Sequence, residues 1–151
     1  MRYALIYGTI AGIIIFGLTW SLLLTGLIHV ESPLIGYLFM LAGLTMIFVG
    51  VKRYRDVERG GVISFLRALA LGAGIALVAS IIYVLGAEIY FATPEGWMMV
   101  EAIDATMAPG YRNPIFRMWV TLLEILPVDV IVALVSAAIL RNPRVLPARA
   151  A

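Results

Sequence analysis

Residues 51–65 read VKRYRDVERGGVISF, and the charged part of this stretch, residues 52–61, is a short basic island between two long apolar segments. Four of the eleven lysine and arginine residues of the chain lie in it: Lys52, Arg53, Arg55 and Arg59. Basic segments that flank membrane-spanning helices are retained on the cytoplasmic side. The island therefore predicts a cytoplasmic loop that fixes the orientation of the helices before and after it.

The composition of the chain places it in a lipid bilayer. Of its 151 residues, 63% are hydrophobic and 13% are charged, whereas a soluble domain has about 25% charged residues. A membrane-spanning helix needs about 20 predominantly apolar residues. The sequence therefore predicts a single all-α integral membrane domain with four transmembrane helices. The expected spans are residues 4–28, 34–51, 65–91 and 115–140.

The longest connection, residues 92–113, joins the third and fourth spans on the outer side. Its core, PEGWMMVEAIDATM, has Met99, Ile103 and Met107 one turn apart and acidic residues between them. This spacing predicts a short amphipathic helix at the membrane interface. Two interpretations remain open: the helix lies on the bilayer, or it forms a lid over an entrance.

The distribution of basic residues supports one orientation. Nine of the eleven lie at or near the side of the island, and only Arg112 and Arg117 lie toward the other side. This bias predicts a multi-pass protein of the bacterial inner membrane with a cytoplasmic N-terminus and a cytoplasmic tail, residues 141–151. The first loop, which contains His29 and no lysine or arginine, is expected outside.

A formal net charge of +2 does not indicate nucleic-acid binding, because the basic residues flank apolar spans. Such residues orient helices and contact anionic lipid headgroups. The candidate anionic-lipid contacts are the four cations of the island: Lys52, Arg53, Arg55 and Arg59.

The chain has no cysteine and one histidine, which excludes disulfides, thiolate nucleophiles and the usual zinc sites. We predict no catalytic residue, no metal site and no cofactor, and we expect a protein that is not an enzyme. A lipid-acting enzyme that uses carboxylates alone is a third and weaker possibility.

Charged residues inside the predicted spans are the candidate functional or structural groups, because ionisable groups are costly in the membrane interior. They are Glu88, Arg117, Glu124 and Asp129. Glu88 and Arg117 each lie about one turn from the outer end of their helix, so they are expected to form a salt bridge.

Glu124 is expected near the middle of the bilayer, about ten residues from the outer end of the fourth span. It could be a proton or cation site, with Pro127 loosening the helix one turn later. Alternatively, it is a protonated packing group bonded to Thr45, Ser80 or a backbone carbonyl. Asp129 is expected to project away from Glu124 unless a kink at Pro127 realigns the two.

Small residues recur at helical spacing in the predicted spans. The most regular series is Ala68, Gly72, Ala76 and Ser80, four residues apart. Such series let helices approach closely in lipid. They predict a tightly packed bundle and, as a further expectation, a homo-oligomer.

The run GYLFMLAGLTMIFVGVKRYRD followed by GGVISFLRAL, and later NPIFRMWVTLLEILPV, resembles a bacterial family called domain of unknown function 4199. The resemblance extends from the second span to the end of the fourth. It implies a small four-helix inner-membrane protein and no established reaction. The matching positions are Lys52, Arg53, Tyr54, Arg55, Asp56, Gly60, Gly61, Ser64, Phe65, Asn113, Pro114, Arg117, Glu124 and Pro127.

Two functional hypotheses follow. The first is a non-enzymatic interaction or accessory protein whose buried charges hold the bundle together, with membrane lipids, a second copy or another membrane protein as partners. The second is a small proton-linked transporter or lipid carrier that uses Glu124, with Arg117 contacting an anionic group.

Overall fold

A computed structural model describes residues 1–24 and 33–142 of the chain, and these residues form five helices without a strand. The helices are α1 (Arg2–Leu24), α2 (Pro33–Glu58), α3 (Phe65–Phe91), α4 (Pro94–Thr106) and α5 (Pro114–Leu140). The first loop with His29, residues 25–28 of the first predicted span and the tail beyond residue 142 lie outside the described residues.

Four of these helices are long and apolar enough to cross a membrane. Their spanning segments are Arg2–Ser21, Tyr37–Glu58, Phe65–Phe91 and Pro114–Leu140. The predicted all-α fold with four spans and a short helix between the third and fourth is therefore confirmed.

Helix α3 is the centre of the bundle, because it packs against each of the other four helices. Helices α1 and α5 each pack against both α2 and α3 but, within the described residues, not against each other. They therefore occupy opposite corners. The start of α1, the end of α2 and the end of α5 lie together, since Tyr3 donates to Glu58 at 3.1 Å and Arg55 reaches Leu140 O at 3.4 Å. We call this the basic end and the opposite one the α4 end.

The most regular series of small residues is buried inside the bundle, whereas Gly17 on α1 is exposed. Ala68, Gly72, Ala76 and Ser80 are all buried on α3, as their spacing predicts. A Cβ added at Gly72 would lie 3.3 Å from both Ala133 Cβ and Ile47 Cγ2. α3, α5 and α2 thus meet at one close contact, which brings buried residues of three helices into a common core.

The basic island is mostly helical, which corrects the loop predicted for residues 52–61. α2 continues to Glu58 and ends where Gly60 and Gly61 adopt positive φ angles of 59° and 87°. A salt bridge of 2.7 Å from Lys52 to Asp56, one turn later, supports the extension. The predicted span ended just before the first charged residue, whereas the helix itself continues to the glycines.

Helix α4 packs onto the bundle rather than only lying beside it. Thr93 caps its first turn by accepting a hydrogen bond of 3.1 Å from Gly96 N, and Val100 is completely buried. Met99 and Ile103 pack against the same cluster, which includes Trp20 and Phe91; Met107, expected on the same face, is 82% exposed. The short helix therefore closes the end of the α1–α3 pair.

Candidate functional site

Glu88 on α3 and Arg117 on α5 form the predicted salt bridge at the α4 end. Arg117 Nε donates to Glu88 Oε1 at 2.8 Å, and a terminal guanidinium nitrogen contacts Glu88 Oε2. The two side chains are 5% and 16% exposed for Arg117 and Glu88. This two-pronged, largely buried pairing is the strong form of an arginine–carboxylate contact, and it ties α3 to α5.

The connection between α4 and α5 completes the surroundings of Arg117. Its remaining terminal nitrogen donates to Tyr111 O at 3.3 Å, and its guanidinium carbon lies 5.1 Å from the centre of the Phe91 ring. Asn113 holds the start of α5 by accepting from Ile115 N at 2.9 Å. Burial raises the pKa of the Tyr111 hydroxyl, so this side chain stays neutral next to the pair. Each of the three guanidinium nitrogens of Arg117 therefore has an acceptor.

Asp129 is the buried carboxyl of the bundle interior. It is 2% exposed on α5, and its Oδ2 lies within hydrogen-bonding distance of Ser80 Oγ on α3. Ser80 Oγ also lies 3.0 Å from Ala76 O, one turn earlier on α3. Asp129 Oδ1 is buried and makes no hydrogen bond to the described residues. Asp129 was expected to project away from Glu124, and it does, because Asp129 is buried whereas Glu124 is exposed. Its position at the α3–α5 contact was not predicted.

Glu124 lies on the exposed surface of the bundle, which does not fit the alternative that it is a buried packing group. Ser80 contacts Asp129 instead, and Thr45 donates to Ala42 O of its own helix at 2.6 Å. Neither of the two side chains considered as partners, Thr45 and Ser80, therefore bonds to Glu124. The physical reason is rotation about the helix axis: five residues separate the two acids by about 140°, and α3 packs on the side of α5 that carries Asp129.

The four cations of the island have different surroundings. Arg53 and Arg59 are exposed, and Arg59 Nε donates to the Tyr54 hydroxyl at 3.0 Å. Lys52 is partly exposed beside Asp56. Arg55, in contrast, is fully buried and contacts Asp56 Oδ1 at 2.7 Å. Arg55 therefore presents no surface to a lipid headgroup, which corrects its assignment as a lipid contact; that role remains a prediction for the other three.

An apolar cavity opens between α3 and α5 on the outside of the bundle. Its volume is about 280 Å³, and Val84, Leu85, Met118 and Trp119 are among its lining residues. It contains almost no polar surface. Among residues 1–24 and 33–142, no group of three or more histidine, cysteine, aspartate or glutamate side chains is placed to hold a metal ion.

The amino-acid sequence matches a family described as protein of unknown function (DUF4199) over residues 6–142. The chain belongs to this family. The matched range includes all eight candidate residues, so the Glu88–Arg117 pair and the Asp129–Ser80 contact are parts of a DUF4199 bundle. No curated protein and no solved structure matches the chain.

Proposed function

We propose that this DUF4199 protein is a non-enzymatic membrane interaction protein that binds a transmembrane helix of another membrane protein through the exposed face of α5. Its own buried charges hold the bundle, and the exposed acid on α5 recognises the partner. The location proposed for this complex is the bacterial inner membrane, with both termini cytoplasmic.

The position of Glu124 is the observation that carries the proposal. Glu124 is ten residues into α5, about 15 Å from the start of a helix of 27 residues. From Glu124 toward the basic end, the same side of α5 is apolar, and Ile131 there is 59% exposed. Lipid tails offer no hydrogen bond, and an ionised carboxyl at this depth costs at least about 2.5 kcal/mol. A protein partner that donates to Glu124 removes that cost.

A second copy of this chain could serve as the partner only if it brought a cation to the depth of Glu124. Among the described residues, the basic side chains other than Arg117 lie within two turns of a helix end or outside the helices. Arg117 is already paired with Glu88. A second copy in the same orientation would therefore bring no cation to the depth of Glu124. We expect a different protein, with a lysine, arginine, asparagine or glutamine at that depth.

The packing of Gly8 and Gly12 also favours a different protein over a second copy of this chain as the partner. A Cβ at Gly8 would lie 2.7 Å from Ile75 O, and one at Gly12 would lie 2.8 Å from Ala79 O. Both are backbone contacts within the chain. These small residues thus serve the close packing of α1 on α3, and they leave less support for the homo-oligomer expected from their spacing.

The alternative of a carrier that uses Glu124 and Arg117 has weaker support. Arg117 would have to leave Glu88 and Tyr111 O before it could contact an anionic substrate group. The cavity between α3 and α5 is apolar and offers no polar group for such a substrate.

The test is photocrosslinking in the native membrane from Ile131, which lies on the same stripe of α5 as Glu124. We expect an adduct to one other membrane protein, mapped by mass spectrometry to a span with a basic or amide side chain at the depth of Glu124. Glu124→Gln removes the charge that the partner's donor binds, and it should reduce the adduct at least about tenfold. A tenfold change in association corresponds to 1.4 kcal/mol. Replacing the basic or amide residue of the partner should have the same effect.

The matched control is the crosslinker at Ile13 on α1. Ile13 is 58% exposed, against 59% for Ile131, and lies at the opposite corner of the bundle at a similar distance from the basic end. Equal adducts from both positions, or adducts to lipid alone, would contradict the proposal. An adduct between two copies of this chain would replace it with a homo-oligomer.

A further inference from the structure

The contacts around Ser80 are all satisfied only when Asp129 is protonated. Ser80 Oγ has two neighbours at hydrogen-bonding distance, Ala76 O at 3.0 Å and Asp129 Oδ2. A hydroxyl has one proton to donate and two lone pairs that accept. With Asp129 ionised, the single Ser80 proton can serve only one of these two oxygens. With Asp129 protonated, both contacts are hydrogen bonds, because the carboxyl donates to Ser80 Oγ and Ser80 Oγ donates to Ala76 O.

Burial leads to the same conclusion independently. Asp129 is 2% exposed, and its other oxygen, Oδ1, makes no hydrogen bond to the described residues. An ionised carboxylate with an unpartnered oxygen in an apolar interior is strongly disfavoured, whereas a neutral carboxyl needs fewer partners. The geometry therefore fits a carboxylic acid and not a carboxylate.

The nearest ionisable groups do not supply a counter-charge. The helices that pack against α5 are α2 and α3. On α3, Tyr83 and Glu88 are three and eight residues from Ser80 toward the α4 end, and Glu88 is paired. On α5, Glu124 is itself an acid. The other ionisable side chains of these three helices lie toward the helix ends: Tyr37, Lys52, Arg53, Tyr54, Arg55, Asp56, Glu58, Arg67, Tyr90 and Arg117.

We propose that Asp129 is a proton-binding site that fastens α3 to α5 within the membrane. In the closed bundle Asp129 carries the proton on Oδ2 and donates to Ser80 Oγ, which in turn donates to the Ala76 carbonyl. After loss of that proton, the Ser80 hydroxyl can donate to the carboxylate only by leaving the Ala76 carbonyl, and Oδ1 still has no partner among the described residues. The α3–α5 contact then loosens at this depth.

Pro127 is the position at which we expect α5 to bend when the α3–α5 contact loosens. It lies inside α5, two residues before Asp129. Proline has no N–H, so the carbonyl of residue 123 has no partner in the helix ladder, and the helix bends more easily there. The proton on Asp129 therefore controls a helix that is already weakened one turn away.

The test is infrared spectroscopy of the full-length protein in lipid nanodiscs at neutral pH. We expect the absorption band of a protonated carboxyl, lost in Asp129→Asn and retained in Glu124→Gln. Ser80→Ala removes the acceptor and should shift the band to higher frequency without abolishing it. Because Ser80→Ala keeps the acid, it also tests the proposal if Asp129→Asn fails to fold. The proposal would be overturned by a wild-type spectrum without this band. It would also be overturned by a band whose frequency is the same in Ser80→Ala as in the wild-type protein.

The coupling to α3 and α5 is tested by hydrogen exchange. At alkaline pH, the amides near Ser80 and Asp129 should exchange at least severalfold faster in the wild-type protein than in Asp129→Asn at the same pH. Equal rates would overturn the coupling. Loss of the carboxyl band when choline is replaced by sodium at constant ionic strength would overturn the proton site in favour of a sodium site.

Discussion

Neutralising Glu88 alone should destabilise the bundle more than neutralising Glu88 and Arg117 together. Arg117 is 5% exposed and is held by both carboxylate oxygens of Glu88. Glu88→Gln leaves the guanidinium buried without a counter-charge. Breaking a buried pair in this way costs about 3–5 kcal/mol. Replacing both charges, as Glu88→Gln with Arg117→Met, removes that charge and leaves mainly the lost hydrogen bond to Tyr111 O, about 1 kcal/mol.

The assay is equilibrium unfolding in mixed micelles, followed by circular dichroism across a four-member double-mutant cycle. We expect a coupling energy of at least about 2 kcal/mol between the two sites. The matched control is Glu101→Gln, whose pair with Arg112 spans 3.6 Å between side chains that are 47% and 57% exposed. That substitution should cost less than about 1 kcal/mol. A double variant whose cost equals the sum of the two single costs would refute the reasoning.

Three further predictions use the same unfolding assay. Gly12→Ala should destabilise the protein by about 1–3 kcal/mol, because the new Cβ would lie 2.8 Å from Ala79 O. Gly17→Ala on the same helix should be tolerated, since nothing lies within 4 Å of its Cβ. Equal costs of the two substitutions would contradict the α1–α3 contact. Thr93→Ala should cost about 1 kcal/mol through the lost cap of α4, and an unchanged midpoint would show that α4 is held by packing alone. Asp129→Asn should change stability at neutral pH by less than about 1.5 kcal/mol, since a neutral amide replaces a neutral acid; a much larger loss would indicate an ionised wild-type group.

The spans of the bundle were accessible from the sequence because lipid imposes a strong constraint on composition. The third predicted span, residues 65–91, coincides with α3, and the fourth, 115–140, begins one residue after α5 does. Boundaries set by charge were less accurate. A charged stretch can continue a helix beyond the bilayer, as residues 52–58 do in α2.

The Glu88–Arg117 pair was also predictable, because depth along two antiparallel helices follows from residue counting. Counting does not give the rotation of a helix about its axis. Arg117 and Glu124 share a side of α5, yet only Arg117 is buried. Arg117 is buried there by Glu88 and by the connection after α4, a local arrangement that does not extend to Glu124. Asp129 faces α3 because the small side chains of Ser80 and Ala76 leave room for that approach.

The central claim is that the exposed acid on α5 binds a partner while the buried charges hold the bundle. Native mass spectrometry of the protein, extracted in mild detergent from its own membrane, tests it most directly. We expect a stable complex with one other membrane protein, largely lost in Glu124→Gln and unchanged in Glu101→Gln. A protein that emerges alone or only with copies of itself, equally in both variants, would contradict the account.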